Sequence, residues 1–367
     1  MPVRYTGLML MVIFGAGASY DSAQAYRPIY PGGGSQNFGL PAQPPNDGGP
    51  WRPPLAKDLF RDQNHVFGHV VQRYPKLSHI LPYLREPSNG RSVEEILESL
   101  QDEANGFPER LREFASVRYY LRDLLFEISD RWRDTTSGVT NYAPLIGDIL
   151  RLNKTREPIC LVTFNYDLLL DRALLSFDYH AQEPHDQFKA HPVLKLFKPH
   201  GSVDWARFVY VHPDTNLQPQ HLIEEADTIQ LTDEFITVSG IQEANAFPRG
   251  RTVFPCIAIP FQNKTQDTFE CPRSHLAQLE KLLPHVTKVL IIGWQAREAH
   301  FIELLKSNLP TVKHIMVVSE SFNSAKSILD YFIQQIGPKA AGVTGHLKPG
   351  GFTDFVVNRQ GDEFLRA

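Results

Sequence analysis

Cysteine is scarce: the 367 residues hold three, Cys160, Cys256 and Cys271, and no two stand at a C-x-x-C spacing. That excludes a zinc ribbon, a dithiol redox site and a disulfide framework, and leaves three cysteines read as reduced and buried. A basic excess is also missing. With 37 Lys and Arg against 41 Asp and Glu the net charge is −4, which argues against nucleic acid as the main partner and for a small ligand or substrate. No stretch reaches the roughly 18 apolar residues of a membrane span. There is no internal repeat or heptad array. With 42% hydrophobic and 21% charged residues, wholesale disorder is excluded too.

Met1 to Arg4, the apolar run from Gly7 to Ala18 and the small residues from Ser22 to Ala25 imitate a secretory signal. The run ends, however, in a glycine motif with its own chemical meaning. A cytoplasmic location is therefore expected.

Proline and glycine are abundant but unevenly placed. Of the 52 in the chain, 14 fall between Pro28 and Pro54, where neither helix nor strand can run. Composition of this kind usually marks a linker. Upstream of it, Leu8 to Phe14 is a continuous apolar run read as a buried parallel strand. Downstream, Ser92 to Glu95 forms a capping box that starts a helix carrying Val93, Ile96, Leu97 and Leu100 on one face. Gly106-Phe107-Pro108 breaks that helix, and a second follows with Leu111, Phe114, Leu121, Leu124, Leu125 and Ile128.

From Ile159 the rhythm changes to short apolar runs alternating with helical stretches, the pattern of a parallel sheet covered by helices on both faces. Strands are predicted at Ile159 to Thr163, Val193 to Phe197, Val289 to Ile292 and His314 to Val318, with irregular strands at Arg207 to Val211 and Thr252 to Ile259. Helices are predicted at Glu298 to Ser307 and Ser321 to Ile336. The expected fold is α/β, a Rossmann-like parallel sheet flanked by helices with an all-helical insertion after the first strand. The expected division is a nucleotide-binding domain of residues 1–27 and 153–340, a loop at 28–54, the helical insertion at 55–152 and a C-terminal extension at 341–367.

Four motifs follow predicted strands. Gly15-Ala16-Gly17-Ala18-Ser19 suits a turn whose backbone approaches a pyrophosphate, but Tyr20 stands where a dinucleotide-dehydrogenase fingerprint has Gly or Ala. Hydride transfer is thereby disfavoured, and a tight turn without a ligand stays open. Thr163-Phe164-Asn165-Tyr166-Asp167 puts Asn165 at a strand's carboxyl end, where open α/β sheets bind ligands, while Asp167 is equally suited to cap the next helix. In Lys198-Pro199-His200-Gly201-Ser202-Val203-Asp204-Trp205, Pro199 and Gly201 hold His200 on a rigid turn, and an imidazole suits general-base work. Gly293-Trp294 and Ser319-Glu320 suit either the adenosine half of a dinucleotide or ordinary turns.

Taken in order, these motifs resemble the sirtuin-like (silent-information-regulator-type) domain family, and more closely its bacterial NAD-cleaving branch than the protein deacylases. The resemblance covers residues 8–21 and 158–320, about half the chain. The deacylases carry two C-x-x-C zinc pairs and a Gly-Ile-Pro-Asp-Phe-Arg segment after the glycine motif, and this chain has neither.

The resemblance implies NAD as substrate and no metal. Asn165, His200 and Asp167 would be catalytic, with Asn165 on the nicotinamide ribose, His200 on ribose hydroxyls or water, and Asp167 in support. Gly15, Ala16, Gly17, Ala18, Ser19, Asp21, Thr163, Gly293, Trp294 and Ser319 would bind the nucleotide. It further implies hydrolysis of NAD to ADP-ribose and nicotinamide in anti-phage defence, restrained by homo-oligomerisation or by a separate partner such as a HerA-type ATPase or a phage-derived trigger. The alternatives are a non-catalytic module binding NAD or ADP-ribose, and a zinc-free deacylase or ADP-ribosyltransferase. Because the glycine turn and the Asn165 and His200 motifs then belong to one site, the segment from Pro28 to Pro54 is expected to be a moving loop beside the cleft.

Overall fold

The computed structural model describes residues 9–22, 52–61, 65–86, 90–103, 107–136, 140–153, 157–214, 216–238, 250–260 and 269–366. All of the Pro/Gly-rich segment except Arg52–Pro54 lies outside them, and so does the expectation that it moves.

The first strand β1 (Met9–Phe14) is buried on both faces and leads through Gly15 into α1 (Ala16–Ser22). Only helices follow among the described residues up to the second strand: α2 (His65–Val71), α3 (Leu81–Arg85), α4 (Val93–Glu103), α5 (Pro108–Thr136) and α6 (Tyr142–Leu152). The α4 start is the expected capping box, with Glu95 N–H donating to Ser92 Oγ at 3.1 Å and Ser92 N–H to Glu95 Oε2 at 2.6 Å. Next come β2 (Ile159–Thr163), α7 (Leu169–Leu175), β3 (Leu194–Phe197), β4 (Gly201–Tyr210), α8 (Pro219–Glu224), β5 (Gln230–Thr237) and β6 (Arg251–Ile257). The chain closes with α9 (Arg273–Leu282), β7 (Val286–Ile292), α10 (Ala299–Asn308), β8 (His314–Val318), α11 (Phe322–Ile336), β9 (Thr344–Lys348), α12 (Gly351–Val357) and α13 (Asp362–Arg366).

Six strands form one parallel sheet in the order β3-β2-β1-β7-β8-β9, the doubly wound Rossmann-like order. Period-two alternation sorts β1 between two cores. Met11 and Ile13 pack with Leu279, Phe301 and Phe332 of α9, α10 and α11, while Val12 and Phe14 pack with residues of α6, α7 and α12. Tyr142, Leu145, Ile146 and Ile149 of α6 thus cover the sheet, although residues up to 152 were assigned to the insertion. The stretch expected as a C-terminal extension supplies β9, the sheet's last strand.

The other helices of the insertion share a core with a second sheet. Antiparallel β5-β4-β6 contributes Val203, Val209, Phe254 and Ile257 to the cluster built on Phe67, Leu97, Tyr120 and Leu124. Arg118 of α5 fastens the two, donating to Ile257 O at 2.7 Å and to Glu270 Oε1 at 2.5 Å. No described helix is long and apolar enough to cross a membrane.

The edge strand β3 ends on a buried histidine. Its Lys198 N–H, with no further strand to bond, donates to His275 Nε2 of α9 at 2.9 Å, and His275 is fully buried between Phe197 and Trp205. Burial pushes its pKa down to about 3. The unfolded chain therefore binds a proton at this position below about pH 6.5 that the folded protein refuses, and stability falls as pH drops from there toward 3. Urea unfolding between pH 7 and 5 will show a loss approaching about 1.4 kcal/mol per pH unit, and His275→Gln, which keeps an acceptor, will flatten that slope.

Candidate active site

Register brings three strand ends side by side. Phe14 of β1 stands level with Thr163 of β2 and Ile292 of β7, so the turns after these strands open at one edge of the sheet, where its order reverses. The backbone stitches them together: Gly15 N–H donates to Ile292 O at 3.1 Å, Gly17 N–H to Gly293 O at 3.1 Å and Phe164 N–H to Phe14 O at 3.0 Å. The glycines are there for closeness. A Cβ on Gly15 would stand 2.6 Å from Gly293 O and Trp294 Cα, and Gly293, at φ +62°, has Gly17 and Ala18 directly against it.

This contact positions Asn165. Its Nδ2 lies 3.0 Å from Gly15 O, 2.9 Å from Ser19 Oγ and 3.2 Å from Tyr142 Oη, and its two hydrogens are shared among these three acceptors. A carbonyl only accepts, so the amide's orientation is fixed with Nδ2 toward Gly15. Oδ1 is left as an acceptor that bonds no described residue. Burial raises the Tyr142 pKa well above that of an ordinary phenol, so its hydroxyl stays protonated and shares a 2.9 Å hydrogen bond with Ser19 Oγ.

Asp167 lies beneath this network. Its Oδ1 accepts from Leu169 N–H at 3.0 Å, capping α7, and burial raises its pKa against the opposing pull of Ser19, that N–H and Lys198. Lys198, itself fully buried, donates to Asp171 Oδ2 at 2.8 Å, to Ser202 Oγ at 2.7 Å and to Asp167 O at 3.4 Å. Ser202 in turn donates to Asp204 Oδ1 at 2.5 Å. Asp167 therefore both caps a helix and lines the cleft.

His200 is buried at the start of a strained turn. Gly201 has φ +78°, and a Cβ there would collide with Cys256 O, so no other residue fits beside the histidine. The imidazole meets Phe164 edge-on at 4.8 Å between ring centroids, and Tyr166 and His300 stack on it at 6.3 Å and 5.9 Å.

The glycine turn, Asn165, Asp167 and His200 line one cleft of about 220 Å³. Of the expected residues, Gly15, Ala16, Ser19, Asn165, Asp167, His200, Gly293 and Trp294 line it.

The others do not. Asp21 takes Thr353 N–H at 2.8 Å and Thr353 Oγ1 at 3.1 Å, fastening α1 to α12. Ser319 bonds Ser324 Oγ at 2.7 Å beyond β8. Thr163 Oγ1 accepts from Asn165 N–H at 3.1 Å and supports the loop from below. Gly17 has its N–H engaged by Gly293 O, and Ala18 is buried in the sheet core.

The sequence reading missed Tyr166, Gln295, Arg297 and Glu298 on the sheet side of the cleft, and Leu59, Glu94 and Leu125 on the wall supplied by the insertion. Tyr166, Gln295 and Glu298 stand within or beside motifs already quoted. Nothing local marks Glu94. Pro53 and Pro54, the end of the Pro/Gly-rich segment, also line the cleft, and Arg52 lies over the Tyr20 ring at 3.3 Å. Among the described residues no group of three or more His, Cys, Asp or Glu is placed to hold a metal ion.

No family model matches the chain, and a search of curated proteins finds no match. Among solved structures, one titled as a mutant Sir2 homologue in complex with 2′-O-acetyl ADP ribose aligns at 11% identity and a TM-score of 0.38, over 98% of this chain and 93% of that chain.

Two substitutions probe the cleft and its scaffold. Tyr142→Phe removes one hydroxyl from the Asn165 network and should cost about 1–2 kcal/mol of stability in urea unfolding. Asp21→Ala, which breaks the contacts to Thr353 outside the cleft, should cost a similar amount of stability in the same measurement.

Proposed function

We propose that the protein hydrolyses NAD at the nicotinamide–ribose bond, giving ADP-ribose and nicotinamide. The observation that carries this reading is the locked amide of Asn165, with Oδ1 available to a substrate hydroxyl, in one cleft with the glycine turn and a buried histidine. The motif resemblance points the same way.

The chemistry asks for little acid assistance. The C–N bond breaks with its electron pair passing to the pyridine nitrogen, so nicotinamide leaves neutral and the ribose carries the developing positive charge. What remains is to hold the ribose, face that charge and deliver water. Asn165 Oδ1 accepts from a ribose hydroxyl and fixes the sugar. His200 orients the water and takes its proton as the oxygen bonds to C1′. Asp167 stabilises the loop that carries Asn165. In the cell, on the same resemblance, the activity is a regulated effector of anti-phage defence through NAD depletion, restrained by self-assembly or by a separate partner.

Nicotinamide release from NAD by the purified chain tests this, with and without an acetylated peptide. Release without peptide that falls about 100-fold or more in both Asn165→Ala and His200→Ala supports the reading. Release that survives both substitutions contradicts the assignment of the site. Release only when peptide is present points to a deacylase, and binding without turnover to a signalling module.

A further inference from the structure

Tyr20, the residue that breaks the dehydrogenase fingerprint, has a partner far along the chain. The Arg52 guanidinium lies over the Tyr20 ring at 3.3 Å from its centroid, and Arg52 Nε donates to Tyr20 O at 2.8 Å. Tyr20 directly follows Ser19, whose hydroxyl stands 2.9 Å from Asn165 Nδ2. Arg52 directly precedes Pro53 and Pro54, which line the cleft. One contact between residues 32 apart thus joins the helix that carries Ser19 to a wall of the same cleft.

The run from Arg52 to Leu59 is a strap held at both ends. Downstream, Leu59 O accepts from the Tyr120 hydroxyl at 2.7 Å, and the next residue, Phe60, stacks on the Tyr120 ring at 5.4 Å between centroids. Both rings are fully buried and Tyr120 belongs to α5, so this end is fixed to the insertion. Upstream, the half-buried Arg52–Tyr20 contact fixes the other end to α1. Between these anchors Pro53, Pro54, Ala56 and Leu59 line the cleft. The two prolines lock φ, offer no N–H to a neighbouring element and keep the residues before them extended. The strap is therefore locally stiff, and its direction is set at its ends.

We propose that Arg52 and Tyr20 are a positioning pair whose contact holds the strap as a preformed wall, against which ADP-ribose and its parent dinucleotide bind. The inference rests on the reading of the cleft as an NAD site. A ligand that needs the wall in place binds in proportion to the fraction of molecules that have it there. A cation over an aromatic face and a hydrogen bond from a charged donor are each modest, but together they are enough to change that fraction about tenfold.

The test is calorimetric binding of ADP-ribose to the full chain, together with hydrogen exchange at the Leu55 to Leu59 amides of the unliganded protein. Arg52→Ala should weaken binding about tenfold, and Tyr20→Leu, which keeps the carbonyl acceptor but not the ring, about fivefold. Exchange at those amides should quicken in both. Adding Tyr20→Leu to Arg52→Ala should change binding no further, because the contact is already lost. Tyr20→Phe keeps an aromatic face and should bind as the wild type does. Losses that multiply in the double variant, a Tyr20→Phe protein as weak as Tyr20→Leu, or binding unchanged in Arg52→Ala overturns the role of the pair while leaving the NAD reading in place. Failure of the wild type to bind ADP-ribose overturns both.

Discussion

The turn after β1 and the turn after β7 touch through glycine, and the geometry of the cleft depends on that approach. Gly15 and Gly17 lie against Gly293 and Trp294, with backbone hydrogen bonds between the turns and no room for a Cβ on Gly15. The carbonyl of Gly15 is thereby fixed, and it orients the Asn165 amide. A side chain on Gly15, Gly17 or Gly293 would force the turns apart and disturb the Gly15 carbonyl that holds the amide. The sheet alone does not achieve this. Parallel register sets strand ends level to within a residue, and the glycine contact reduces that to atomic spacing.

A second constraint is electrostatic. The His200 turn and the Asn165 loop come from different strands, and the buried Lys198 ammonium joins them through Asp171, the Asp167 carbonyl and Ser202. Ions this deep hold their places because removing one partner strands the others, at a cost of about 3–5 kcal/mol. Glu270 does similar work on the far side, bonding Arg118 of the insertion and pairing with Arg207 of β4 at 3.4 Å. The insertion is thus a wall of the cleft bound to the scaffold by charge as well as by an apolar core.

Much of the fold was legible because its strands are short apolar runs ending in glycine or in small polar residues. Two of the sheet's six strands, at 159–163 and 314–318, sit where periodicity put them. What escaped had no such signal. The β7 strand begins three residues earlier than its apolar core because Lys288 interrupts the run, its ammonium donating to Phe364 O at 2.9 Å. The half-exposed edge strands β5 and β9 bury too few side chains to show a period.

The site divides in the same way. Asn165, His200 and the glycine turn announce themselves by strand-end position. Asp21 and Ser319 carry suitable chemistry and sit near such ends, yet each is consumed by a scaffold contact that sequence cannot show. Tyr142 and Glu94 reach the site from helices remote in sequence, so only the packing of α6 and of the insertion brings them there. Tyr20 is intelligible only with Arg52 stacked on it from the far end of the Pro/Gly-rich segment.

The central claim is that one cleft holds the nucleotide with its ribose against Asn165. A crystal structure with ADP-ribose bound tests it most directly. The account predicts the pyrophosphate beside Ala16 to Ser19 and a ribose hydroxyl within hydrogen-bond distance of Asn165 Oδ1, with Nδ2 still on Gly15 O. Nucleotide bound away from this cleft, or an Asn165 amide turned to present Nδ2 to the sugar, would contradict it.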